Sequence, residues 1–127
     1  MAIVGLGTDI VEIARIEAHV VRAGDKLAKR VLTEAELAIY TVHKQPSRYL
    51  AKRFAAKEAA AKALGTGIGR GVSFQHIHIG NNDDGAPTVY FTDGALARLQ
   101  QLNAVVGHIS IADEQSYAIA TVIIESR

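Results

Sequence analysis

Two acidic residues stand where a purely structural sequence gives them little reason to be. Asp9 interrupts an apolar run, Ala2–Val11, in which strand-forming residues dominate and aspartate is ordinarily avoided. Glu58 is the only acid between Lys44 and Arg70, a stretch with seven basic residues, and alanines 55, 56, 59, 60 and 61 surround it. Small neighbours beside an isolated acid leave room for a ligand to approach a helix closely. Mg²⁺ takes one or two protein carboxylates and completes its shell with water and substrate phosphate oxygens. Asp9 and Glu58 in a basic half-chain meet that requirement, and Lys62, Lys57 and Arg53 supply cations for the remaining phosphate charge. Simpler readings compete. Glu58 and Lys62 at i,i+4 could be an exposed ion pair worth about 0.3–0.5 kcal/mol, and Asp9 could be a strand-end turn residue.

Other chemical signals are weaker. Gly65-Thr-Gly-Ile-Gly-Arg-Gly71 is glycine-rich, but it follows a helix, whereas phosphate loops precede one and use its positive end. It also lacks the Gly-Lys-Ser/Thr ending of a nucleotide-triphosphate loop, and Gly5-Leu-Gly7 fails the dinucleotide fingerprint. His76 and His78 are expected on one strand face without a third zinc ligand, and His108 reads as a hydrogen-bonded strand histidine. The absence of cysteine removes thiolate metal sites and cysteine nucleophiles together.

The elements that must position these residues follow from periodicity. A chain of 127 residues, 49% hydrophobic, is expected to form one domain over 1–127 around an aliphatic core, since tryptophan is absent. A mostly buried strand is predicted over residues 2–11, then a helix from Glu12 to about Val21, broken at Gly24-Asp25. A short helix over Lys26–Val31 precedes one capped by Thr33, with Glu36 in capping-box position. Residues 48–64 are the clearest helix, stopped by Gly65. Strands at Phe74–Ile79 and Thr88–Phe91 flank the turn Asn81–Gly85, and Asp93 is expected to cap a helix reaching Leu99 or Leu102. Strands near Val105–Ala112 and Tyr117–Glu125 close the chain. A hairpin rather than regular βαβ repeats points to α+β: a mostly antiparallel sheet packed on one long and several short helices.

Charge is unevenly spread although the net is only +1: residues 1–70 hold twelve of fourteen Lys/Arg. That polarity suggests an anionic ligand or partner for the first half. The near-neutral total and the lack of a basic, aromatic-interleaved strand face argue against nucleic acid. No run approaches the roughly 20 apolar residues of a membrane span, and no basic leader with an apolar core is visible, so a cytoplasmic protein is expected.

Taken together, Gly5-Leu-Gly-Thr-Asp-Ile-Val-Glu-Ile13, Arg53-Phe-Ala-Ala-Lys-Glu-Ala-Ala-Ala-Lys62 and Gly65-Thr-Gly67 resemble the paired signature of the phosphopantetheinyl transferase superfamily. The short chain matches its holo-acyl-carrier-protein synthase branch, and the resemblance spans essentially the whole sequence. It implies that Asp9 and Glu58 bind Mg²⁺ and that Lys62 lies near the reacting phosphate. It also assigns Arg53, Gly65 and His108, with Lys62, to coenzyme A, and the helix bearing Arg15 and Arg22 to acidic acyl carrier protein. Similar proteins are trimers with active sites between subunits. The implied reaction is attack of a carrier serine hydroxyl on the β-phosphate of coenzyme A, releasing adenosine 3′,5′-bisphosphate, in support of fatty acid biosynthesis. The serine proton would go to Glu58 directly or through a metal-bound water, and the sequence does not choose between them. The departure from expectation is Ala112-Asp113-Glu114, more acidic than a phosphate site would suggest. The rival reading is a non-catalytic module that uses its basic half to bind nucleic acid or an acidic protein.

Overall fold

The computed structural model describes all 127 residues. In chain order the elements are β1 (Ile3–Glu12), α1 (Ile13–Ala23), α2 (Lys26–Val31), α3 (Glu34–Val42), α4 (Pro46–Ala63), a 3₁₀ turn at Phe74–His76, β2 (Ile77–Asn81), β3 (Pro87–Phe91), α5 (Asp93–Gln101), β4 (Ala104–Asp113) and β5 (Tyr117–Ser126). β5 lies between β1 and β4 in a three-stranded antiparallel sheet, and β2 pairs with β3 in a separate hairpin. The α+β expectation therefore holds, with two small antiparallel sheets in place of one.

Helix α4 is the axis of the fold. Pro46 occupies its first turn, where a missing N–H costs nothing, and Gly65 ends it at φ +79°. Its alanines 51, 55, 56, 59, 60, 61 and 63 are all buried, so neighbouring elements contact it nearly all round. β1 comes closest. A methyl carbon added at Gly5 or Gly7 would run into the backbone carbonyls of Ala63 and Ala59. Strand and helix therefore meet main chain to main chain. The short helices are stitched on by the expected capping box, in which Thr33 N donates to Glu36 Oε1 and Glu36 N to Thr33 Oγ1.

Three expectations are corrected. β1 is not mostly buried: its glycine face packs on α4, while Leu6 and Ile10 on the other face are 66% and 61% exposed. Asp93 does not cap α5; it is the first helical residue, at φ +51°, and Thr92 precedes it without a side-chain cap. His76 and His78 do not share a strand face either. His76 sits in the 3₁₀ turn, its Nδ1 accepting from Ser73 N, while His78 stacks on Tyr90 and bonds Thr92 Oγ1.

Candidate active site

The close approach of β1 to α4 places the two acids at one hollow. Asp9 follows Gly5 and Gly7 on the helix-facing side of the strand, and Glu58 lies one position before Ala59, whose carbonyl Gly7 faces. Both acids line a cavity of about 520 Å³, together with Arg15, His19 and Arg22 of α1 and Phe54 of α4. Lys62, one helical turn beyond Glu58, donates from Nζ to Asp9 Oδ1 at 3.0 Å and to the Thr8 carbonyl at 3.1 Å. The expected exposed Glu58–Lys62 pair is thus replaced by a bond across to the strand. Arg22 and His19 form a hydrogen bond of 3.0 Å along the rim.

Burial raises the Glu58 pKa, and the neighbouring Asp9 charge raises it further; Lys62 and Arg30 pull it back. A carboxylate crowded by another carboxylate gains when a cation arrives between them. The donor set fits Mg²⁺: two carboxylates facing a hollow with room for water and phosphate oxygens, with Glu12 and His19 elsewhere on the same lining. Asp9 and Glu58 are the side chains that could hold it.

The remaining site candidates lie elsewhere on the chain. Arg53 lines a separate cavity of about 410 Å³ with His43, Arg48, Tyr49, Lys52 and Pro87. Its guanidinium lies 4.8 Å over the Tyr49 ring, and although the residue is only 8% exposed it makes no salt bridge and its Nε has no partner. The buried Tyr49 hydroxyl is also unpartnered. The Arg53 guanidinium is the neighbour that offsets the burial of the Tyr49 hydroxyl, and both side chains face the hollow. Gly65 borders a third hollow with Arg70 and Arg98, and Arg98 Nε donates to the Leu64 carbonyl at 2.9 Å, fixing the end of α4. His108 projects from the outward face of the sheet, in a cross-strand row with Leu6 and Ile123, and contacts Glu125 at 3.1 Å. None of these three residues borders the Asp9–Glu58 cavity.

Lys57 does not serve a phosphate. It is fully buried, with Nζ 2.6 Å from Glu36 Oε1 and donating to the Val31 and Phe74 carbonyls. One residue before Glu58 on a helix is a rotation of about 100°, which turns it into the core. Tyr49 joins the site through the structure, and its i,i+4 spacing from Arg53 is the signal the sequence carries for it. Arg98 and His19 carried none.

The family model described as "4'-phosphopantetheinyl transferase superfamily" matches residues 5–122. The chain is 90% identical over 127 residues to the holo-[acyl-carrier-protein] synthase of Shewanella baltica (strain OS223), covering the whole of both chains. The crystal structure of holo-[acyl-carrier-protein] synthase from Neisseria meningitidis superposes with a TM-score of 0.92 at 40% identity, covering 98% of this chain and 100% of the other. The Helicobacter pylori enzyme in complex with coenzyme A gives 0.82 at 34% identity, with coverage of 94% and 99%. With the paired acids, the basic rim and the fold all in agreement, this chain belongs to the 4'-phosphopantetheinyl transferase superfamily.

Proposed function

We propose that this chain transfers the 4'-phosphopantetheine arm of coenzyme A to a serine hydroxyl of apo acyl carrier protein, releasing adenosine 3′,5′-bisphosphate and supporting fatty acid biosynthesis. The observation that carries the reading is the convergence of Asp9, Glu58, Arg15 and Arg22 on one cavity, in a chain 90% identical to a holo-[acyl-carrier-protein] synthase. Incubation with coenzyme A, Mg²⁺ and apo carrier protein tests it. A gain of one phosphopantetheine mass on the carrier supports the enzyme; an unmodified cognate carrier favours the non-catalytic binding module. A cytoplasmic location is part of this proposal, since coenzyme A and a carrier protein are its substrates.

Asp9 and Glu58 would hold Mg²⁺ in this reading, and the ion would supply positive charge against that of the pyrophosphate. Lys62 keeps the Asp9 carboxylate oriented through its 3.0 Å bond and presents a half-exposed ammonium to phosphate oxygens. Glu58 would take the serine proton either directly or through a metal-bound water. Arg15 and Arg22 receive the acidic carrier helix. Reversing both charges is expected to raise the carrier KM about tenfold at low salt, with the difference shrinking as salt rises. An unchanged, salt-insensitive KM assigns the carrier to another surface.

We infer that a second subunit contributes to holding the coenzyme's nucleotide end. The Arg53 cavity and the Asp9 cavity share no residue, and His108 faces away from both acids. The outward face of the three-stranded sheet carries the rows Leu6–Ile123–His108 and Ile10–Ile119–Ala112, apolar but for His108, with Leu6, Ile10 and Ile119 exposed in the single chain. A homotrimer closing on this face would cover these rows, and in this reading one chain's Arg53 and His108 serve a site with a neighbour's Asp9, Glu58 and Gly65. Sedimentation equilibrium is expected to give three times the chain mass of 13.6 kDa, and Ile119→Asp to give a single chain with lost turnover. A fully active single-chain variant would remove the shared-site reading.

A further inference from the structure

The acids at the end of β4 are unexplained by the reading above. Asp113 does not line the Arg53 cavity, yet it holds two of the cations that do. Its Oδ2 accepts from Arg48 Nη1 at 2.9 Å, and Lys52 Nζ stands 3.6 Å from its Oδ1. Arg48 is further committed to the turn after β4: Nη1 also donates to the Glu114 carbonyl at 2.7 Å, and Nη2 to the Gln115 carbonyl at 3.0 Å. Arg53, by contrast, has no acidic partner and an orphaned Nε. One carboxylate thus separates the wall's cations into a clamp on the turn, a shared lysine and one uncommitted guanidinium.

We propose that Asp113 is an internal counter-ion that weakens the hold of the Arg53 cavity on the phosphorylated end of the nucleotide, and so hastens departure of the bisphosphate product. This rests on the reading that the cavity takes that end of coenzyme A. An anion entering the hollow meets a wall whose positive charge is already partly neutralised. Lys52 must be drawn from Asp113 to reach it, and the Asp113 carboxylate repels it from behind Arg48. Asp113 acts through its neighbours and touches no substrate: it is a positioning residue for Arg48 and Lys52. A site that binds the same nucleotide end in substrate and in product gains turnover by not binding it too tightly.

Asp113→Asn removes the charge while its side-chain oxygen can still accept from Arg48, and the two turn carbonyls are untouched. Titration calorimetry on the intact protein with adenosine 3′,5′-bisphosphate is expected to show the variant binding about three- to tenfold tighter than wild type at low salt. Adenosine, which lacks phosphate, should bind both proteins alike. Inhibition by the bisphosphate should strengthen by the same factor. Damage to the fold weakens binding, so a phosphate-dependent gain is a result no merely structural role produces. Arg53→Ala provides the second arm. If wild-type binding depends on Arg53 and Asp113→Asn leaves it unchanged or weaker, the counter-ion inference is overturned alone. If binding is indifferent to Arg53→Ala, the cavity reading is overturned, and this one with it.

Discussion

Glu58→Gln lowers turnover by about 10²–10³-fold, yet the metal-free variant unfolds at a temperature no lower than the wild type. Both halves come from the same electrostatics. Burial and the Asp9 charge raise the Glu58 pKa above its ordinary 4.5, so folding increases the proton affinity of this carboxyl. Between pH 4.5 and the raised folded value the native state binds more protons than the unfolded chain. Stability contributed by the protonated form is therefore present at low pH and lost as pH rises through the folded value. Above the folded value Glu58 is an ionised group held at a cost, which the neutral amide does not carry. The same raised affinity sets protons against Mg²⁺ for the same oxygens, so the Mg²⁺ concentration giving half-maximal rate rises as the medium is acidified. Rates measured with thermal unfolding in chelator check both halves. A variant that loses activity only because it melts earlier would show that Glu58 belongs to the scaffold.

The largest effect on stability is expected one residue earlier on the helix, through its partner. Glu36→Ala strips the fully buried Lys57 of its only carboxylate and removes the acceptors for Ile79 N and Thr33 N. Burial already lowers the Lys57 pKa, and the Glu36 carboxylate is what resists that shift. Breaking a buried pair from one side costs about 3–5 kcal/mol, and each stranded buried donor adds roughly 1–3 kcal/mol. Urea unfolding is expected to show a loss comparable with the whole stability of a small domain, about 5–15 kcal/mol. Lys57→Met should cost less, because the Val31 and Phe74 carbonyls tolerate the loss of a shared donor better than Glu36's three donors tolerate losing their acceptor. Equal losses for the two variants would show that the ion pair alone matters.

How much of this was legible depended on whether the signal was local. The long helix, its Pro46 start and Gly65 stop, and the Thr33–Glu36 capping box were readable because the cause lies within a few residues. Asp9 and Glu58 could be paired from chemistry, as misplaced acids, before anything placed them together. Glu36 was seen only as a cap; its second carboxylate oxygen accepts from Ile79, 43 residues away, and no local pattern announces that. The Arg48–Asp113 bond spans 65 residues and was equally hidden. β1 was misjudged for a different reason: an apolar strand looks the same whether a helix or another subunit covers its second face. Lys57 was misassigned although helical rotation alone separates it from Glu58.

The meeting of Gly5 and Gly7 with the Ala63 and Ala59 carbonyls has a consequence for sequence drift. The gap between β1 and α4, on which the two acids sit, is set by main-chain contact at these glycines and not by how side chains happen to interlock. Substitutions that resize the interior elsewhere can accumulate without detuning that gap, while any side chain at these two glycines acts as a wedge that splays the acids apart. A library randomised across the interior should therefore return active clones of many compositions, nearly all of them silent at positions 5 and 7.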